Sequence, residues 1–361
     1  MRTSHVFTLL GLSLFGLCVA RLQPQTQNRQ LVQVYSNNDF QLTGVTVSKT
    51  GRVFVNFPRW SAEYLNAVVE VMPDGSAKPY PDEGWNRWDL KPQSAGNHFV
   101  CVQSVVVDDT DSLWVLDPAA PMLMSIVPGG PKLVKIDLKT NKVTQTIAIG
   151  PEAAKTHTYL NDVRFDNRRN VAYITDSGLG GIVIVDLATG KAHRALDGDP
   201  SVMPDKSVKI VIDGKPVLGP TGETPAFHSD AIALSPDGEY LYYQPIAAKT
   251  LYRVPTSALR DPSGKPAPEK YAGTFPVDGI WMDHNQNIYL SNLQQDAVSR
   301  LTPGKKLETM VTDRRLQWPD TFSEGPDGSI YITASHINHS PTYNQGKSTR
   351  AMPYAVFKFK P

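Results

Sequence analysis

Residues 230–244 read DAIALSPDGEYLYYQ. Apolar residues fill Ala231–Leu234 and Leu241–Tyr243, and Ser-Pro-Asp-Gly lies between them. Two short apolar runs joined by such a turn read as a β-hairpin. Polar residues stand at its two ends, Asp230 and Gln244. The same grammar recurs five times along the chain. It appears as TGVTVSKTGRVFVN at 43–56, QSVVVDDTDSLWVLD at 103–117 and NDVRFDNRRNVAYITD at 161–176. It returns as DGIWMDHNQNIYLSN at 278–292 and DTFSEGPDGSIYITA at 320–334. Further apolar runs follow most repeats, at 68–71, 133–136, 182–185 and 251–254. Six units of about four strands predict an all-β fold, a six-bladed β-propeller with four-stranded blades. Leu31–Val34 is expected to complete the last blade, and 197–227 reads as a Gly/Pro-rich insertion. The abundance of turn formers, 26 Gly and 29 Pro, agrees with many short strands.

The first twenty residues obey different rules. Arg2 precedes a mostly apolar run from Val6 to Val19, and the small residues Cys18 and Ala20 flank a cut before Arg21. This pattern predicts a signal peptide at 1–20 and a propeller domain at 21–361. The product is expected to be secreted, to the cell exterior or to a bacterial periplasm. Leu17 is too bulky for a lipoprotein cleavage at Cys18, and no other segment has the length to span a bilayer. Loss of Arg2 leaves 35 basic against 35 acidic residues. That balance argues against a nucleic-acid partner, and no membrane partner is expected. Cys101 is then the only cysteine left; in the run Phe99–Val102 it reads as a buried small hydrophobe.

In a propeller, the loop that enters each inner strand and the loop that leaves the second strand share one face. Three sets of side chains should gather there. Inner strands open with Thr43, Gln103, Asn161, Asp230, Asp278 and Asp320. Second strands end with Asn56, Asp117, Asp176, Gln244, Asn292 and Ser335. An aromatic precedes every inner strand: Phe40, Phe99, Tyr159, Phe227, Phe275 and Trp318. Strand-end acids often serve nearby backbone only, and aromatics often only pack between blades. Several carboxyls at one mouth, however, repel unless a cation, a proton or hydrogen bonds relieve them. Ca²⁺ would do so, and so would an organic ammonium on an aromatic ring, which suits the aromatic rim. A small-molecule ligand is therefore expected, with no cofactor required and Ca²⁺ as the one admissible metal, on Asn161, Asp230 and Asp278. The ligand set extends to Asp320, Gln103, Thr43, Asp117, Asp176, Asn292, Phe227, Phe275 and Trp318. His336 and His339 lack a third ligand for zinc and read as rim or acid–base residues. Asn338 opens an Asn-His-Ser sequon, relevant to glycosylation only in a eukaryotic host.

The stretches 174–202, 229–256, 277–292 and 318–335 together resemble the yellow/major royal jelly protein family. Leu-Tyr-Tyr-Gln-Pro-Ile after Ser-Pro-Asp-Gly is the most specific of these matches. The resemblance implies a secreted six-bladed propeller. It includes binders of biogenic amines, proteins linked to dopachrome conversion, and food proteins. Insect members usually carry paired cysteines, so this chain looks more like the microbial branch. A more distant resemblance runs to gluconolactonase-like propellers, which bind a divalent metal through Glu, Asn and Asp. Asn161 matches the Asn and Asp230 or Asp278 the Asp, but Thr43 stands where the Glu would be. Three functions follow as expectations. The first is binding of an aromatic or amine ligand; the others are a Ca²⁺-dependent lactone hydrolase and a tautomerase of an aromatic metabolite. The first is preferred, and a protein–protein platform remains open.

Overall fold

A computed structural model describes Met1 and residues 29–361. The expected signal peptide lies outside the described residues. Six antiparallel four-stranded sheets stand in a ring. Five are built from consecutive strands; the fourth blade, for example, runs Ser229–Leu234, Tyr240–Pro245, Thr250–Pro255 and Glu269–Gly273. The sixth combines Pro319–Glu324, Ile330–Ala334 and Tyr354–Phe359 with the N-terminal strand Val32–Asn37. Gln33 pairs with Phe357 and Asn37 with Tyr354, so Val32–Asn37 closes the ring on the sixth blade.

The repeat turns behave as their residues require. In Ser-Pro-Asp-Gly, the Gly238 N–H donates to the Ser235 carbonyl at 2.8 Å, and Gly238 has φ +73. A side chain is disfavoured in that left-handed region, which is why glycine closes this hairpin. The insertion folds back with a short hairpin, Val211–Ile212 against Lys215–Pro216.

The hydrophobic core is divided among the blade interfaces. Leu116, Leu133 and Ile147 of blade two pack on Leu160, Ile174 and Val183 of blade three. Tyr35 and Val356 of blade six pack on Val45, Val55 and Val69 of blade one. Equivalent clusters fill the other four interfaces. A four-stranded sheet with two apolar faces is stable only between neighbours, and the ring supplies a neighbour to every face. The axis is left polar. Arg164 pairs with Asp162 at 3.0 Å and donates to the Ile280 carbonyl of blade five at 2.9 Å. It thereby crosses the channel between its two mouths.

Candidate functional site

The first residues of the inner strands are aimed by local irregularity. In blade four, Ser229 pairs with Pro245 and Ala231 with Gln244, leaving Asp230 as the extra residue of a β-bulge. Blade three has a bulge at Asn161–Asp162 and blade six at Asp320–Thr321. A bulge re-aims its side chain, here into the mouth. Second-strand hydroxyls secure the bulges of blades three and six, and one on blade five holds the equivalent backbone there. Thr175 accepts the Asp162 N–H at 3.2 Å and donates to the Asp230 carbonyl of the next blade at 2.7 Å. Thr333 accepts the Thr321 N–H at 3.0 Å and donates to the Thr43 carbonyl at 2.7 Å. Ser291 accepts the N–H groups of Asp278 and Gly279 at 2.9 and 3.0 Å.

These residues floor a cavity of about 950 Å³ at one mouth of the channel. Gln103, Asn161, Asp230, Asp278 and Asp320 line it, as do Phe40, Tyr159, Phe227 and Trp318. A relay of polar groups runs across the floor. Trp60 Nε1 donates to the Tyr159 hydroxyl at 2.8 Å, which donates to Gln103 Oε1 at 2.8 Å. Gln103 Nε2 donates to Asn161 Oδ1 at 3.2 Å, and Asn161 Nδ2 to Asp230 Oδ2 at 2.6 Å. Trp318 Nε1 donates to Asp278 Oδ2 at 2.5 Å. Phe227 meets Trp318 and Tyr343 edge-on, at ring-centroid distances of 6.3 and 6.4 Å.

The three aspartates are buried, and among the described residues none has a cationic partner. Burial pushes the Asp278 carboxyl up to about 6. Burial and the neighbouring charges of Asp278 and Asp320 hold Asp230 well above the usual carboxylate range. Burial, Asp278 and Asp162 do the same for Asp320. Asp230 and Asp278 stand side by side, and each carboxyl affects the protonation of the other. Burial and mutual repulsion thus favour the protonated forms, and a cation would favour the ionised ones.

The other expected residues are placed elsewhere. Asp117 is fully buried and accepts from the N–H groups of Val100, Cys101 and Ala119 and from Lys132 Nζ. Asp176 accepts from the Tyr159, Gly178 and Leu179 N–H groups and from Arg194. Thr43 is buried and donates to the Gln103 carbonyl at 3.1 Å. Asn292 donates to Gln295, and Phe275 packs on the core between blades four and five. None of these five lines the cavity. Phe99 belongs to the core between blades one and two. Cys101 is fully buried, and desolvation pushes its thiol up to about 12, so it is unreactive. Asn338 is half-buried in a 3₁₀ turn.

Contributors outside the repeats complete the wall. Trp60, Tyr64, Met122 and Leu123 come from blade-one and blade-two loops, Tyr343 and Arg350 from the strap at 335–353, and Tyr354 from the start of the strand that follows it. Aromatic residues in these loops, and the extra length of the sixth repeat, were the available sequence signals.

The donor set does not fit a divalent metal. Asn161 turns Nδ2 toward Asp230 and Ser177, and its Oδ1 is taken by Gln103. Asp278 Oδ2 is capped by Trp318. Among the described residues, no group of three or more His, Cys, Asp or Glu side chains could hold a metal ion.

Comparisons with known proteins place this geometry. Residues 100–335 match the family model for major royal jelly protein, which is more than half of the chain. Major royal jelly protein 1 of Apis mellifera is 27% identical over 232 residues, 58% of this chain and 49% of that protein. Major royal jelly protein 5 of the same organism is 25% identical over 320 residues, 82% of this chain and 49% of that protein. The matches thus span about half the length of these relatives. Among solved structures, a gluconolactonase from Xanthomonas campestris aligns with a TM-score of 0.58 at 12% identity, covering 93% of this chain and 90% of that one. A calcium-binding regucalcin from Agrobacterium tumefaciens gives 0.57 at 14%, covering 92% and 94%. At such identities the likeness is one of fold.

Proposed function

The chain belongs to the major royal jelly protein family, and from that premise we propose that it is a secreted binder of a small aromatic amine, held at the channel mouth. One observation carries the reading. Asp230, Asp278 and Asp320 meet on the floor of one cavity without a cation, beneath aromatic walls. An ammonium would relieve the crowding of carboxyls, and rings such as Trp318 and Phe227 would stack on the attached aromatic group. The Trp60–Tyr159–Gln103–Asn161 relay fixes Asp230 and so pre-organises the floor. The reading needs no metal. Among the described residues no helix is long and apolar enough to cross a membrane.

Calorimetric titration with tyramine and tryptamine tests it, with Ca²⁺ and EDTA as controls. Saturable binding is expected, unaffected by EDTA and weakened about tenfold or more in Asp278→Asn. Failure of every amine to bind, or Ca²⁺-dependent turnover of a lactone, would overturn it.

A second reading is favoured by the side-by-side burial of Asp230 and Asp278, both raised above the usual carboxylate range. Such a pair can take a proton from one atom of an aromatic metabolite and return it to another, which is tautomerase chemistry. Turnover that is lost in Asp278→Asn while binding persists would support this reading over simple binding.

A further inference from the structure

The acids account for one end of a ligand. The same cavity is also lined by Arg350, on the segment between Ala334 and Tyr354. Its guanidinium lies 4.2 Å from the centroid of the Tyr354 ring. Its terminal nitrogens donate to the carbonyls of Met352 and Asn38, and Nε is buried without a partner. Among the described residues no carboxylate reaches ion-pair distance of it; Asp39, on the same rim, is solvent-exposed and unpaired with it. Behind Arg350 lies His336, 1% exposed, with no partner at either ring nitrogen. His339 Nε2 is likewise buried and unpartnered. Burial, with His339 and Arg350 nearby, lowers His336 to about 4, so this imidazole is neutral.

A cavity with three buried acids at its floor and an unpaired arginine at its rim is a dipole. A monovalent amine would satisfy the floor and leave the guanidinium without a counter-ion. Arg350 is half-buried, and its two carbonyl contacts satisfy hydrogen bonds without neutralising its charge, so a carboxylate on the ligand would be a charge-assisted partner. The two sets stand on different elements, the acids where the inner strands begin and the arginine on the segment before Tyr354–Phe359, and no ion pair joins them. The charges of a complementary molecule are therefore separated by its body.

Resting on the amine reading above, we propose that the ligand is a bipolar aromatic compound. Its ammonium sits on Asp230, Asp278 and Asp320, and an anionic group at its far end is held by Arg350. The cavity volume of about 950 Å³ leaves room for such a body.

The probes are 2-phenylethylamine and 4-(2-aminoethyl)benzoate, which differ by one carboxylate across the ring from the amine. Affinities for both are measured by calorimetry on the wild-type protein, Arg350→Met and Arg350→Lys. Methionine keeps the aliphatic stem on Tyr354, and lysine keeps the charge. The wild type is expected to prefer the benzoate by about tenfold. Arg350→Met should bring the ratio near one, and Arg350→Lys should restore part of it. A wild-type preference for the plain amine overturns the proposal, as does an unchanged ratio in Arg350→Met. If the amine alone binds, only this inference fails. If neither probe binds, the reading of the acid floor fails with it.

Discussion

Asp278 is the residue on which the chemistry of the mouth turns. Its carboxyl is pushed up to about 6, chiefly by burial, from an ordinary value near 3.8. The folded protein then binds a proton more tightly than the unfolded chain does. The associated stability is complete below about pH 4 and is lost as pH rises through about 6. Asparagine mimics the protonated form, so Asp278→Asn should match the wild type at pH 4.5 and exceed it at pH 7.5. A gain on the order of 2 kcal/mol is expected, read from thermal melts across pH. Ligand binding has the opposite sign. A cation favours the ionised acids, so amine affinity should rise between pH 5 and 7. Binding at neutral pH should also release protons, seen as a dependence of the calorimetric enthalpy on buffer ionisation. The sequence marked Asp278 and its two partners because they recur at one strand position. It marked Asp117 and Asp176 on the same ground, but those carboxylates are consumed by backbone N–H groups and by Lys132 and Arg194. An acid at a strand end has the same letter in either use, and only the loop geometry separates them.

At the scale of the element, the decisive device is the bulge with its hydroxyl. Thr175 accepts from the Asp162 N–H and donates to the Asp230 carbonyl, joining blades three and four at the bulge that aims Asp230. Thr175→Val keeps the shape and removes both bonds, leaving buried groups unsatisfied. It should destabilise the protein by about 1–3 kcal/mol and weaken amine binding, while Thr175→Ser should lose much less. Melts and calorimetry on the same two variants check both effects. Strands and turns were legible because alternation and Pro-Asp-Gly are local signals. The bulges were not, since a single extra residue leaves the apolar pattern almost intact. The strap at 335–353 was hidden for another reason. It lies beyond the last hairpin of the repeat, so its Arg350 and Tyr343 carry no repeat position that would mark them.

At the scale of the molecule, six similar interfaces share the stability, and one of them depends on the first strand. Val32–Asn37 covers the outer edge of blade six, and Tyr35 fills the core between blades six and one. A chain beginning at Asn38 should melt at least about 10 °C lower and associate through the exposed edge of Tyr354–Phe359. Melting and light scattering would show it; an unchanged, monodisperse protein would mean that the ring closes without this strand. The number of blades was readable from six repeats and the closing strand from a short apolar run. The six-part core follows from both, because every blade needs two neighbours. Pairing of Gln33 with Phe357 also sets a timetable. During synthesis Val32–Asn37 emerges before any other strand of the ring, and its partner Tyr354–Phe359 emerges only after the other five blades. Five blades can assemble in sequence while this segment waits as an unpaired thread, exposed to proteases and to other nascent chains. Closure of the ring is thus timed by the synthesis of Tyr354–Phe359, and a ribosome that stalls before Tyr354 leaves an open crescent in place of a ring.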